Sequence, residues 1–411
     1  MKTVFIINQF ANTPDLPGHT RQYEVAKGLE KSGWVVDVFS SDFNLSERRF
    51  KKLRNLELIK YEFIQNINWY WIRVLPYKKN NFFRYLNIIS FCINLFFILT
   101  IKVFMKKLNK NNKLIILASS PQLPATFICL IISKIFSIPF VAEIRDLWPQ
   151  VLIDLGGKNP KSFLIKTLSL IESFIYSKSK HLVVLSEGAI NYVKKKGAKK
   201  VSFLPNGSDL EIFKYCKLKK ENIKFSKERP FKVLYCGTHG EANDLIRIVE
   251  AAELLHSEPV KFILVGDGPT KNMLLKKSAH LKNIIFLSPK PKKEIPNLIA
   301  NSDAMLLTLK DIPLFKYGVS PNKLYDSYAI GRPVINNVGG IIAKEINSYK
   351  IGINAIPEDS KSLSESILYL MNLTRNDREK MSIQARLLAE KKYSRKIINN
   401  KYNRILNLYL K

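Results

Sequence analysis

The sequence predicts an α/β protein made of two doubly wound domains in series. Three observations predict it. Short, unbroken apolar runs alternate with longer helical patterns, the alternation restarts after a basic stretch near the middle, and the segments rich in glycine, proline and charge fall directly after the runs. Apolar runs without polar alternation suit parallel strands buried on both faces. A βαβ series of that kind builds a doubly wound sheet. The length of 411 residues fits two such domains.

The first series begins with a strand at residues 3–8, inside MKTVFIINQF. Its apolar stretch is too short for the core of a signal peptide, so the protein is expected to be made and kept in the cytosol. A helix follows at 20–31, with Thr20 as its expected cap and Gly33 just past its end. Further strands are expected at 34–40, 114–118, 139–143, 181–185 and 201–204, with helices around 161–177 and 187–196.

One window interrupts this series. YLNIISFCINLFFILTI, residues 85–101, carries no charge and sits at the lower edge of what spans a bilayer. Asn87, Ser90 and Asn94 recur three and four residues apart and so share one helical face, which a lipid-exposed span would not favour. Arg84 precedes the window, and Lys102, Lys106, Lys107, Lys110 and Lys113 follow it. An apolar helix with basic flanks can lie in the interface of an anionic membrane without crossing it. The expectation is therefore an interfacial helix over about 82–107, with a buried core helix as the alternative and a true span the least favoured.

Residues 215–232 carry seven basic and two acidic residues and read as linker or surface. The second series then places strands at 232–236, 260–265, 284–287, 304–309 and 333–336. Its helices are expected around 244–256, 270–281, 293–301, 322–330 and 360–371, and two helical patterns at 377–391 and 394–410 close the chain.

Lys plus Arg number 66 and Asp plus Glu 34, a formal net charge of +32. That excess points to a polyanionic partner: nucleic acid, an anionic membrane surface or a phosphorylated substrate. The basic residues are mostly lysines dispersed along the chain and no nucleic-acid motif accompanies them, so nucleic acid is the least favoured of the three. Cys92, Cys129, Cys216 and Cys236 are scattered without a CxxC, which suits free thiols in a reducing compartment rather than a zinc site.

Ligands of doubly wound sheets bind beyond the carboxyl ends of the strands, so chemistry is sought just after each strand. After the first strand comes PDLPGHTRQ, whose Gly18 opens a turn before a helix N-terminus able to receive a phosphate. After the strand at 139–143 comes EIRDLWPQ. Arg145 can grip a phosphate or carboxylate, and Asp146 can orient a hydroxyl or act as a base, with an Arg–Asp structural pair as the alternative. CGTHGEANDL and GDGPT follow the next two strands considered. There Gly237 and Gly266 allow close backbone approach, and Thr238 and His239 are within reach of a ligand. The most informative segment is YGVSPNKLYDSYAIGRPVI. Ser320, Pro321 and Asn322 open a short helix, as a cap followed by proline does. Lys323 lies in the first turn, where a cation is disfavoured unless an anion binds there, and Asp326 lies one turn later on the same face. A lysine for a diphosphate and a carboxylate for ribose hydroxyls make a nucleotide grip. An ordinary i,i+3 surface pair explains the two charges but not the SPNK opening.

In this order, GHTRQYEVAKGLEKSGWVVDVFSS, ASSPQLP, EIRDLWPQ, LPNGSD, YCGTHGEANDL, LVGDGP and SPNKLYDSYAIGRPVI resemble family 4 retaining glycosyltransferases, and most closely the branch that builds bacterial O-antigen and capsule units, fucosamine transferases among them. The resemblance covers nearly the whole chain. It implies the GT-B fold, two Rossmann-like domains facing a central cleft. An acceptor-side domain would take residues 1–205 and be completed by the last helix at 394–411, and a donor domain would take 206–393.

The resemblance also implies roles. Gly18, Gly237, Thr238, Gly266, Ser320, Asn322, Lys323 and Asp326 would bind the donor, with Lys323 at its phosphates and Asp326 at its ribose. Asp146, Arg145 and Lys323 would carry catalysis, and His19, Ser120 and Trp148 would stand on the acceptor side. The sequence departs from the family in places. The first carboxylate of the Glu-x7-Glu motif falls at Gly318, the Arg and Lys that many relatives carry are Thr238 and Asn243, and the usual His is Ser119 or Ser120. Without a DxD motif, the implied reaction retains anomeric configuration and needs no metal or other cofactor. The implied partners are a UDP-sugar, an undecaprenyl-diphosphate-linked saccharide and the anionic inner face of the cell membrane, with the protein cytoplasmic and peripheral or monotopic there. A nucleotide-sugar epimerase of the same shape is the alternative activity.

Overall fold

The computed structural model describes residues 1–16, 20–44, 48–54, 57–78, 82–218 and 224–410. By its contacts the chain divides into two compact units, Met1–Leu204 with Ile398–Lys411, and Pro205–Ile397.

The first unit is built on β1 (Lys2–Ile7), β2 (Val35–Ser41), β3 (Ile59–Ile64), β4 (Ile67–Ile72), β5 (Lys113–Ser119), β6 (Phe140–Ile144), β7 (His181–Val184) and β8 (Val201–Phe203). They form one sheet in the order β3-β4-β2-β1-β5-β6-β7-β8. Every pairing is parallel except that of the edge strand β3 with β4. This hairpin is an addition to the sequence expectation. It turns through Gln65 and Asn66, both at positive φ, the geometry that twists a tight turn to match its strands. The helix Leu123–Ile135 is a second addition.

Two helical layers cover the sheet. Val4, Ile6, Val36, Val38, Trp69 and Trp71 pack on one side against the helix Arg21–Glu30 and the last helix, Arg395–Asn407. The other side carries Phe39 and Tyr70, stacked with ring centroids 4.9 Å apart. It is covered by the helix Phe82–Leu108, then by Leu123–Ile135 and Phe163–Lys178 packed in sequence beside it. The apolar window thus forms one helix of 27 residues, long and apolar enough to cross a membrane by length and composition. Thr20 precedes Arg21–Glu30 without a side-chain capping bond, contrary to expectation. The helix is anchored instead through its own first residues.

That anchor is a buried network around Glu143 at the end of β6. Arg21 Nε donates to Glu143 Oε2 at 3.1 Å, and Arg21 Nη2 donates to the Leu204 carbonyl at 2.8 Å and to the Tyr402 hydroxyl at 2.9 Å. The Tyr402 hydroxyl donates to Glu143, and Ser119 Oγ and Gln22 Nε2 donate to its other oxygen at 2.7 and 3.2 Å. Burial alone would raise the Glu143 carboxyl. Arg21, Arg145 and the hydroxyl donors outweigh it and hold the group below the usual carboxylate range.

The second unit is built on β9 (Phe231–Cys236), β10 (Val260–Val265), β11 (Ile284–Leu287), β12 (Ala304–Leu307), β13 (Val334–Asn336) and β14 (Gly352–Asn354). All pairings are parallel, in the order β11-β10-β9-β12-β13-β14. Its core joins Val233, Tyr235, Phe262 and Leu264 to Ile248, Ala252, Ile367 and Leu370 from the covering helices. The helix Asn322–Ile330 has the bounds expected from sequence, whereas β14 and the helix Ile341–Tyr349 before it are additions.

Replacing Glu143 by Gln leaves Arg21 buried without its counter-charge. Chemical denaturation should show a loss of about 3–5 kcal/mol, and Tyr402→Phe should lose about 1–3 kcal/mol. Because the folded-state carboxyl is depressed, its contribution is present above the unfolded value and is lost as pH falls through the folded one. The wild-type advantage over Glu143→Gln should therefore vanish in acid. An equal stability of the two proteins at neutral pH would show that the network does not hold the unit together.

Candidate functional site

In the second unit, the register sets Cys236 opposite Val265, so β9 and β10 end side by side and their next residues, Gly237 and Gly266, leave the sheet together. Gly237 donates its N–H to the Val265 carbonyl at 3.0 Å, and Gly266 donates to the Leu287 carbonyl at 3.1 Å. A Cβ on Gly266, whose φ is 147°, would lie 1.9 Å from the Gly237 carbonyl oxygen, so no other residue fits. Beyond it, Thr270 donates both its N–H and its hydroxyl to the His239 carbonyl, at 3.0 and 2.7 Å. His239 is thereby locked inside the loop. Its ring is fully buried between Tyr235 and Phe286, and neither ring nitrogen has a hydrogen-bond partner among the described residues.

Lys323 enters this cluster from the first turn of Asn322–Ile330. Its ammonium lies 3.8 Å from the centroid of the Tyr235 ring and 3.0 Å from where a Cβ of Gly237 would stand. The aromatic face attracts the charge, and no described carboxylate pairs with it. Burial pushes the ammonium down to about 7, with only the Cys236 thiol opposing. Asp326 does not pair with Lys323. Its Oδ1 accepts from the Ser208 hydroxyl at 2.6 Å, and burial raises its carboxyl to about 6 against the pull of Arg395 and Lys292. Ser320 does not cap the helix either. Its hydroxyl accepts from the Asn206 N–H at 3.0 Å and meets the Tyr325 hydroxyl at 3.1 Å. Thr238 and Asn322 are exposed.

The other described sequence candidates lie in the first unit, Ser120 just after β5 and Arg145, Asp146 and Trp148 on the loop after β6. Ser120 is buried and its hydroxyl accepts from the Arg145 N–H at 3.0 Å. Arg145 Nη1 reaches Gln22 Oε1 at 3.4 Å. Asp146 is exposed, its carbonyl accepts from the Trp148 N–H at 3.0 Å, and a cis peptide joins Trp148 to Pro149. Gly18 and His19 lie outside the described residues. The second-unit cluster therefore unites Gly237, Gly266 and Lys323, adds Tyr235, which sequence reasoning passed over as a core aromatic, and sets Asp326 one turn away. An electron-rich ring beneath a half-shielded ammonium, two glycines and the exposed N-terminal turn of a helix are chemically suited to a diphosphate.

The family described as glycosyl transferases group 1 matches residues 217–388, the stretch that holds this cluster. Outside it, similarity extends along the chain. The probable glycosyltransferase WbjE of Pseudomonas aeruginosa is 26% identical over 239 residues, 56% of this chain and 58% of that protein. The putative colanic acid biosynthesis glycosyl transferase WcaI of Escherichia coli is 26% identical over 211 residues, 49% of this chain and 51% of its own. The chain thus matches a little over half the length of these curated relatives. Among solved structures, Anabaena HepE in complex with UDP superposes with a TM-score of 0.66 at 15% identity, covering 99% of this chain and 100% of that one. The chain therefore has the GT-B fold.

Gly266→Ala should break the contact between the two strand-end loops. Adding a Cβ here opposes both φ and packing, so thermal unfolding should show a loss above about 2 kcal/mol, accompanied by lost ligand binding. Wild-type stability in this variant would mean that the loops do not meet as described.

Proposed function

We propose that the chain is a retaining glycosyltransferase of bacterial O-antigen or capsule biosynthesis. It moves a sugar, of the N-acetylated amino or deoxy kind, from a UDP-sugar to an undecaprenyl-diphosphate-linked saccharide. The observation that carries this reading is Lys323, a shielded ammonium at a helix N-terminus with an aromatic ring beneath it and no described carboxylate beside it. The fold shared with a UDP-bound structure and the match to a colanic acid transferase support the donor and pathway class.

In the proposed reaction the bond from the anomeric carbon to the diphosphate breaks, a bond to the acceptor hydroxyl oxygen forms on the same face, and the hydroxyl proton passes to the departing diphosphate. The negative charge left on the diphosphate is met by Lys323 and by the first-turn amides of Asn322 and Lys323, groups already in place before the bond breaks. Gly237 and Gly266 leave room for the diphosphate backbone, Thr238, Ser320 and Asn322 line its approach, and Asp326 takes the ribose. Asp146, Arg145, Trp148 and Ser120 serve the acceptor side. The protein works at the anionic inner face of the cell membrane, where a lipid-linked acceptor resides, held there through Phe82–Leu108.

Lys323→Ala should lower turnover by about 10²–10³-fold while leaving the unfolding midpoint near wild type. Near wild-type turnover of a competent donor and acceptor would remove the phosphate role. Accumulation of an epimerised donor without transfer would replace the transferase with an epimerase.

The shifted ammonium adds a pH signature. A bound diphosphate raises it again, so binding takes up a proton when the pH is near or above 7. Donor affinity should be full below pH 7 and weaken as pH rises above it. Calorimetry in buffers of different ionisation heat, across roughly pH 6 to 9, should record that uptake, and its absence, with a flat affinity profile, would detach Lys323 from the diphosphate.

A further inference from the structure

The helix Phe82–Leu108 is turned inside out relative to an ordinary surface helix. Its polar stripe faces the protein. Asn87 Nδ2 donates to the Leu75 carbonyl at 2.6 Å, its Oδ1 accepts from Gln9 at 2.8 Å, Ser90 Oγ accepts from the Leu75 N–H at 2.9 Å, and Asn94 Nδ2 donates to the Arg73 carbonyl at 2.8 Å. At its far end Lys102 sits 4.4 Å over the Tyr70 ring, and Lys106 lies 3.5 Å from the Asp37 carboxylate. The helix is thus fastened to β2, β4 and the segment after β4 along about 29 Å, the rise of the 19 residue steps from Asn87 to Lys106. Its outward stripe is Ile89, Ile93, Phe97, Ile101, Phe104 and Leu108, all exposed, spaced three or four apart over the same length.

The stripe does not stand alone. Phe163–Lys178, on the same side of the sheet, exposes Phe163, Leu170 and Phe174 along one line, with Lys166 and Lys178 between and after them. Phe174 meets Phe127 of Leu123–Ile135, ring centroids 5.7 Å apart, which fills the space between the two ridges. At the other flank the β3–β4 hairpin turns Tyr61 and Phe63 to the same side as Tyr70, both exposed. Charge around this surface is one-sided. Residues 82–180 include 13 Lys or Arg and 4 Asp or Glu, and two of the four, Glu143 and Glu172, are buried.

We propose that this whole side of the first unit, two helical ridges with the hairpin beside them, is a single platform that rests flat on an anionic bilayer, so that the protein is monotopic and Phe82–Leu108 does not span. The apolar ridges enter the acyl boundary and the lysines meet the headgroup charge. A span would have to break the polar ties of Asn87, Ser90, Asn94, Lys102 and Lys106. The proposal rests on the membrane-bound reading above and extends it to elements outside the apolar window.

The test is co-sedimentation of the full chain with vesicles of phosphatidylglycerol and phosphatidylethanolamine, or of phosphatidylcholine alone. Wild-type protein should bind the anionic vesicles, more weakly but still measurably in high salt, and the zwitterionic ones far less. The decisive variant pairs Phe163→Asp with Leu170→Asp, on the second ridge. It should lose vesicle affinity by roughly tenfold or more, as should Phe97→Asp with Ile101→Asp on the first ridge. Unchanged binding by the second-ridge pair would overturn the platform. So would resistance to alkaline extraction with protease-protected segments on both sides of the helix, which would mean a span, or loss of a solution dimer with no vesicle binding, which would mean that the face pairs with a second copy. Turnover of nucleotide sugar with a short water-soluble acceptor should be unchanged in both variant pairs. Failure of vesicle binding and failure of glycosyl transfer are thereby read separately.

Discussion

The first unit depends on one buried carboxylate. Glu143 could not keep its charge in the interior without partners, because removing an ion from water costs several kcal/mol. Its partners come from distant parts of the chain: Arg21 and Gln22 from the first helix, Ser119 from the end of β5, and Tyr402 from the last helix. Arg21 also fixes the Leu204 carbonyl, where the first run of the chain leaves the unit. None of these can be satisfied unless all the elements are in place together. The network therefore couples the C-terminal helix to the strand end that leads into Arg145, Asp146 and Trp148.

The second unit is organised by proximity of backbone rather than by charge. The carbonyl of Gly237 fills the space that a side chain on Gly266 would need, and the His239 carbonyl is held by Thr270. These contacts fix the floor over which Lys323 and Tyr235 meet. At the two positions where the family resemblance implies an Arg and a Lys, Thr238 is exposed and the Asn243 carbonyl accepts from the Thr308 hydroxyl at 2.7 Å. Lys323 shares this floor with Lys271, whose ammonium donates to the Gly266 carbonyl at 2.9 Å.

Elements with a strong local signature were legible in the sequence. Asn322–Ile330 has a proline before it and a glycine after it, and its bounds agree with expectation. The buried parallel strands were recognisable as unbroken apolar runs. The β3–β4 hairpin was not, because it turns on Gln65-Asn66 rather than on a glycine-containing pair, and because β3 is an exposed edge with alternating polarity beside an aromatic-rich β4 interrupted by Asn68. Lys323 was conspicuous as a cation in a first helical turn. Tyr235 was silent, since nothing local separates a ring that supports an ammonium from one that fills a core. The EIRDLWPQ segment was noticed, but the partner of its glutamate, Arg21, lies 122 residues away and no spacing announces it.

The inverted helix at Phe82–Leu108 changes which substitutions the protein can tolerate. On most surface helices a polar replacement outside is harmless and an apolar one inside is safe. Here Asn87 is fully buried with both ends of its amide engaged, so exchanging it for leucine of similar size would strand the Leu75 carbonyl and the Gln9 amide in the interior. Phe97, ten residues on, touches little and can become polar without disturbing the fold. Sequence drift that looks conservative by hydropathy would thus damage folding at one position, and drift that looks radical would spare it at the other.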